Sequence, residues 1–186
     1  IMQRLFYLAI ALIFSFMTQA QDTSRYERAL FASGCYWGTE YYMQQAEGVI
    51  DTRVGYAGGH VENPSYREVT TGRTGHAETV EVTYDPEKTD YETLTRLFFN
   101  THDPTQVDRQ GPDIGNQYRS AIFYLNEEQK QIAEKLIKEL EAQGLDVATE
   151  VTGGAVFYAE EKDYHHDYYQ KTGGTPYCHA FEQKFE

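Results

Sequence analysis

Two cysteines are the whole thiol inventory of this chain, and they sit in different surroundings. Cys35 lies in Ser33-Gly34-Cys35-Tyr36-Trp37-Gly38, between an apolar run at 28–32 and a helix-compatible stretch at 39–46 that closes at Gly48. A side chain at such a strand-to-helix junction faces unpaired N–H groups and the positive end of the helix dipole. Both favour a thiolate, the reactive form of cysteine, and the flanking glycines leave room for a substrate to approach the sulfur. The same residues also suit a small buried cysteine in a glycine-rich turn. Cys178 follows Gly173-Gly174-Thr175-Pro176-Tyr177, a composition expected to be mobile near a chain end. It fits a resolving thiol that condenses with an oxidised Cys35. It fits equally a permanent bridge to Cys35, worth about 4–5 kcal/mol for so long a loop.

A third residue comes from strand periodicity. In 77–84, alternation places Glu78, Val80, Val82 and Tyr84 on one face and Ala77, Thr79, Glu81 and Thr83 on the other. Glu78 thus shares the apolar face. Buried there, a carboxyl group stays protonated toward neutral pH and can act as a general acid. At an open strand end it would simply reach water.

Strands are expected at 28–33, 49–56, 77–84 and 119–125, with a weaker one at 147–158. Helices are expected at 36–46, 90–100 and 126–142, with a shorter one at 160–170. In the longest helix Asn126 caps the start with Gln129 three residues on, Ile132, Leu136, Ile137 and Leu140 make one face, and Gly144 ends it. The order strand-helix-strand, strand-helix-strand predicts an α+β two-layer sandwich with a mixed sheet: a ferredoxin-like βαββαβ core, long loops and an irregular C-terminal segment. Glycine-rich, aromatic loops at 55–66 and 102–118 are long enough to be functional.

Residues 1–20 read as a signal peptide: Arg4, an apolar run from Leu5 to Phe14, and a small-residue end at Thr18-Gln19-Ala20. That run is short for a membrane helix. Export to the periplasm or beyond is therefore expected, with residues 21–186 forming one domain. The net charge of −13 argues against binding nucleic acid or an anionic membrane. The histidines lack metal-ligand spacing, so no metal is expected. A thiol hydrolase using Cys35 with His165 or His166 has the right separation, but no Asn follows either histidine. A tyrosine-rich binding module stapled by Cys35 and Cys178 is the non-enzymatic alternative.

Gly34-Cys35-Tyr36-Trp37-Gly38 combined with Gly75-His76-Ala77-Glu78 resembles the A-type peptide methionine sulfoxide reductases. The likeness runs from about residue 28 to 178, through Gly55-Tyr56-Ala57-Gly58-Gly59, Asn63-Pro64-Ser65-Tyr66, His102-Asp103-Pro104-Thr105 and Gly115-Asn116-Gln117-Tyr118-Arg119-Ser120. Tyr36 replaces the family's usual Phe. The resemblance implies reduction of methionine S-sulfoxide, in proteins or free, without a bound cofactor. Cys35 would be the nucleophile, Glu78 the acid, Tyr66 and Tyr118 the hydroxyl donors to the sulfoxide oxygen, and Cys178 the resolving thiol. Tyr36 and Trp37 would cage the substrate methyl group, and Asp113 would supply a carboxylate to the pocket. It also implies recycling by a thioredoxin-like reductase; export then places that reductase outside the cytoplasm and makes repair of oxidised exported proteins the expected role, for a protein expected to be a monomer.

Overall fold

The computed structural model describes residues 25–185. The signal-peptide reading of residues 1–20 lies outside the described residues. Four strands build the centre: β1 (Glu27–Ser33), β2 (Val49–Ala57), β3 (Ala77–Tyr84) and β6 (Ser120–Tyr124). A two-residue hairpin, β4 (Arg109–Gln110) and β5 (Asp113–Ile114), stands apart from them. Short edge strands β7 (Glu150–Gly153) and β8 (Tyr158–Ala159) complete the order β7-β6-β1-β3-β2-β8. All neighbouring pairs are antiparallel except β6 with β7. The inner order β6-β1-β3-β2 is the expected ferredoxin-like arrangement, and the parallel β7 makes the sheet mixed.

Strand alternation gives the sheet two apolar faces. Ala29, Phe31, Val80, Val82 and Ile122 face the helices α1 (Tyr36–Met43), α3 (Tyr91–Asn100) and α4 (Glu127–Ala142), through Met43, Leu94, Phe98, Phe99, Leu136 and Leu140. The opposite face carries smaller residues, Leu30, Ala32, Ala57, Ala77 and Ala121 with Phe123, covered by Ala155 and Phe157. Asp90 caps α3 by accepting from the Thr93 N–H at 2.7 Å, and Asn126 caps α4 by accepting from Gln129 at 2.9 Å. On α4, Ala133, Leu136 and Leu140 are fully buried and Ile132 and Ile137 half-buried, one residue's rotation from the expected stripe.

Three segments depart from expectation. The weak strand at 147–158 divides into β7 and β8, because Gly154 turns the chain at φ +72 rather than extending it. The expected helix at 160–170 becomes a 3-10 turn, Asp163–His165, followed by α5 (Tyr168–Thr172). Between them Asp167 is left-handed at φ +55, held there because its N–H donates to Glu40 Oε2 at 2.9 Å. A short helix α2 (Tyr66–Val69) interrupts the first long loop under a capping box of Ser65 and Glu68, a spacing visible in the sequence.

Candidate active site

The site forms where the C-terminal ends of β1 and the start of β3 meet the first turn of α1. Gly34 makes the turn out of β1 at φ +100, with its missing Cβ leaving space that Gln110 fills. Cys35 follows as the N-cap residue of α1 and is buried. The Tyr36 N–H, the first free donor of the helix, donates to Glu78 Oε2 at 3.1 Å. Glu78 is therefore a carboxyl at a helix N-terminus, buried at 2% exposure, and does not reach water.

Burial dominates the Glu78 carboxyl and pushes its pKa up to about 8, against the Tyr36 N–H, which holds it down. The charge of Asp113 adds to the rise. At neutral pH the group is a proton donor, as its place on the valine face of the strand predicts.

The expected lowering of the Cys35 pKa does not occur. Hydrogen bonding with Cys178 is the largest influence and raises it, followed by burial and the charge of Glu78; the Trp37 N–H opposes them weakly. The physical reason is that the hydrogen bond to Cys178 and burial outweigh the helix N-terminus, whose Tyr36 N–H donates to Glu78 instead. Cys178 moves the other way, downward, through Cys35 first and then His179, against its own burial. In this unbridged state the Cys35 thiol hydrogen-bonds to Cys178, and that contact, which lowers Cys178, is lost once the Cys35 sulfur carries oxygen.

Nor is the segment bearing Cys178 loose. The Tyr177 hydroxyl donates to the Asp113 carboxylate at 3.0 and 3.1 Å. Asn100 accepts from the Glu182 N–H at 2.7 Å and from the Lys184 N–H at 2.9 Å, and Phe185 is buried beside Phe99. Glycine and proline in 173–176 supply the bend that returns the chain to Cys35, and these contacts then outweigh the entropy of a free end.

Tyr66, first residue of α2, and Tyr118, last of the 3-10 turn Asn116–Tyr118, are both half-buried. Burial raises the pKa of each phenol, and the charges of Glu78 and Cys35 raise both further. The two hydroxyls thus stay protonated donors over the same pair of groups. Asp113, half-buried on β5, acts on Glu78 and Tyr118 alike.

The aromatic residues are more numerous than the sequence motifs suggest. Trp37 stacks on Tyr168 at 3.7 Å and 6°, and its indole N–H donates to His165 Nδ1 at 3.3 Å. His165 packs against Tyr66 and Tyr36, with ring centroids 4.6 and 5.6 Å away. Tyr36 is fully buried beneath this layer, and its hydroxyl has no hydrogen-bond partner among the described residues. Tyr56, directly opposite Glu78 in the sheet, donates its hydroxyl to Glu160. Tyr168, His165 and Glu160 were not singled out for the reductase chemistry in the sequence. Their signal was only the density of aromatic and charged residues in 158–169, which carries no register.

The profile of the family described as peptide methionine sulfoxide reductase matches residues 27–186. A protein of Nautilia profundicola named peptide methionine sulfoxide reductase MsrA is 50% identical over 151 residues, 81% of this chain and 87% of that protein. Methionine sulfoxide reductase A of Corynebacterium diphtheriae superposes with a TM-score of 0.74 at 37% identity, covering 88% of this chain and 83% of its own. Reduced Mxr1 of Saccharomyces cerevisiae, a protein also solved in complex with Trx2, gives 0.80 at 32% identity, covering 89% and 97%. With the paired thiols, the neutral buried carboxyl and these likenesses in hand, the chain belongs to the MsrA-type peptide methionine sulfoxide reductases and is an oxidoreductase.

Proposed function

We propose that this protein reduces the S epimer of methionine sulfoxide, in peptides or as the free amino acid, using Cys35 as nucleophile. One observation carries the reading: a neutral, fully buried Glu78 stands at the N-terminus of the helix whose cap is a thiol in contact with a second thiol. Sulfoxide oxygen is a poor leaving group until it is protonated. Attack of the Cys35 sulfur on the sulfoxide sulfur builds negative charge on that oxygen, and Glu78 gives it a proton. The Tyr66 and Tyr118 hydroxyls stabilise the same charge by donating to it. The proton lost by Cys35 balances the one Glu78 gives. The protonated oxygen then passes from the substrate sulfur to the Cys35 sulfur as the bond between the two sulfurs breaks, which releases methionine and leaves Cys35 a sulfenic acid; Cys178 condenses with it, releasing water, to form the Cys35–Cys178 disulfide.

Trp37, Tyr36 and their aromatic neighbours form an apolar wall suited to the substrate methyl group, and Asp113 supplies the carboxylate at the pocket edge. The chemistry needs no bound cofactor, only an external dithiol. A thioredoxin-like protein is the proposed reductant, as Mxr1 pairs with Trx2. Arg4 and the apolar run after it support export, with repair of oxidised exported proteins by a monomer as the setting. The amino-terminal sequence of the protein recovered from cells tests the export reading: cleavage after Ala20 supports it, and a product retaining Arg4 in the cytoplasm overturns it.

A hydrolase built on Cys35 and His165 is disfavoured by the His165 Nδ1 lone pair, which accepts from the Trp37 indole. The deciding experiment is turnover of separated S and R epimers of a methionine sulfoxide peptide with dithiothreitol as reductant. Turnover of S alone, lost in Cys35→Ser, is expected. No methionine from either epimer with folded, reduced protein overturns the proposal.

A further inference from the structure

His179 is buried to 5% exposure immediately after the resolving thiol, and none of the steps above uses it. Its ring lies in a cradle that exists because Gly38 has no side chain: a Cβ at Gly38 would fall 2.1 Å from Nδ1. On one side Nε2 is 3.3 Å from Ser33 Oγ and 3.5 Å from Thr39 Oγ1, and those two hydroxyls are 2.7 Å apart. On the other side Nδ1 is 3.0 Å from Cys178 Sγ. A neutral imidazole donating from Nε2 to Ser33, with Ser33 donating on to Thr39, leaves the Nδ1 lone pair aimed at the sulfur. A cysteine, a base within hydrogen-bond reach and a third group orienting that base is the arrangement of an activated nucleophile.

We propose that His179 is a catalytic base for the resolving step, taking the proton of Cys178 as that sulfur attacks the Cys35 sulfenic acid. The inference rests on the reductase reading given above. In the step the thiol proton passes to Nδ1 and the Cys178 electron pair forms the sulfur–sulfur bond. The Cys35 sulfur–oxygen bond breaks, and the hydroxyl leaves as water, with the proton delivered to His179 returned to it. The Cys35 sulfur is reduced, the Cys178 sulfur is oxidised, and one water is released for one disulfide formed.

The position of the ring explains its fixed aim. Ser33 is the last residue of β1 and Thr39 lies in the first turns of α1, so the base that serves Cys178 hangs from the same junction that presents Cys35. Docking the C-terminal segment therefore seats the thiol and its base together.

The test is a single turnover with reduced protein and an S-sulfoxide peptide, without external reductant. Methionine release is followed by chromatography, and disulfide formation by quenching with an alkylating agent and mass spectrometry, with dimedone to trap sulfenic acid. In His179→Gln, disulfide formation is expected to fall about 100-fold relative to methionine release, the usual contribution of a positioned base, with dimedone adduct accumulating on Cys35. A ratio equal to that of the wild type overturns the proposal. Methionine release is also the folding control. Should His179→Gln release none, Ser33→Ala keeps the imidazole and frees its Nε2. It is expected to lower the same ratio at least threefold, and an unchanged ratio overturns the proposal. A wild-type protein that releases no methionine removes the reductase reading itself, an outcome separate from either variant's ratio.

Discussion

Tyr177 donates its hydroxyl to both oxygens of Asp113, 3.0 and 3.1 Å away, and so ties the residue before the second thiol to the β4–β5 hairpin. Tyr177 is more than half exposed, so this bond contributes about 1 kcal/mol. Tyr177→Phe is expected to raise the open population of the C-terminal segment about fivefold. The rate at which iodoacetamide alkylates Cys178 in a Cys35→Ser background measures it, and an unchanged rate removes the tie as a determinant of docking.

The raised pKa of Glu78 sets a pH dependence with a definite sign. Its ordinary value of 4.5 rises to about 8 in the folded protein. The folded state therefore holds a proton that the unfolded chain releases between those values. The associated stability is fully present below pH 4.5 and lost as pH rises through about 8. At 1.36 kcal/mol per pKa unit, neutralising the group permanently stabilises on the order of 4 kcal/mol at pH 8 and almost nothing at pH 4. Glu78→Gln is accordingly expected to melt higher than the wild type at pH 8 and equally at pH 4, while methionine formation falls about 100-fold or more. Equal melting temperatures at both pH values would show that the carboxyl is ionised in the fold.

The two cysteines should separate cleanly. Cys35→Ser is expected to fold and to release no methionine. Cys178→Ser should release one methionine per protein and then stall with Cys35 as sulfenic acid, scored by methionine yield without reductant. Continued turnover of Cys178→Ser with a thioredoxin as sole reductant would show that Cys178 is dispensable.

Gly38 is the position where packing and chemistry meet. A methyl group there cannot coexist with the seated His179 ring. Gly38→Ala is expected to cost about 1–3 kcal/mol, the usual penalty of overpacking, and to expose Cys178 to alkylation. Thermal melts and labelling report the two effects; a variant as stable and as protected as the wild type contradicts the described cradle.

Much of this arrangement was legible from residues alone. Period-two alternation located β3 to the residue and put Glu78 on the core face, because strand geometry depends on local backbone alone. Asn126 announced its helix for the same reason, since a cap is satisfied within one turn. Contacts between distant parts of the chain were not legible. The Cys35 pKa depends on Cys178 and on which acceptor takes the Tyr36 N–H, and neither has a sequence pattern. Asp167 leaves the helical region for a bond to Glu40, so the helix propensity of 160–170 was overridden from outside. The Trp37–Tyr168 stack and the seat of His179 likewise join segments more than a hundred positions apart.

The contact between the two sulfurs has a further consequence for a protein exposed to oxidants. Sulfenic acid is the last stage from which a cysteine returns easily; further oxidation to sulfinic or sulfonic acid is largely irreversible. Peroxide attacking either thiol meets a neighbour already in place to close the ring. Damage at Cys35 and damage at Cys178 converge on one disulfide, which an ordinary dithiol reopens, so proximity makes the pair a self-limiting target as well as a catalyst.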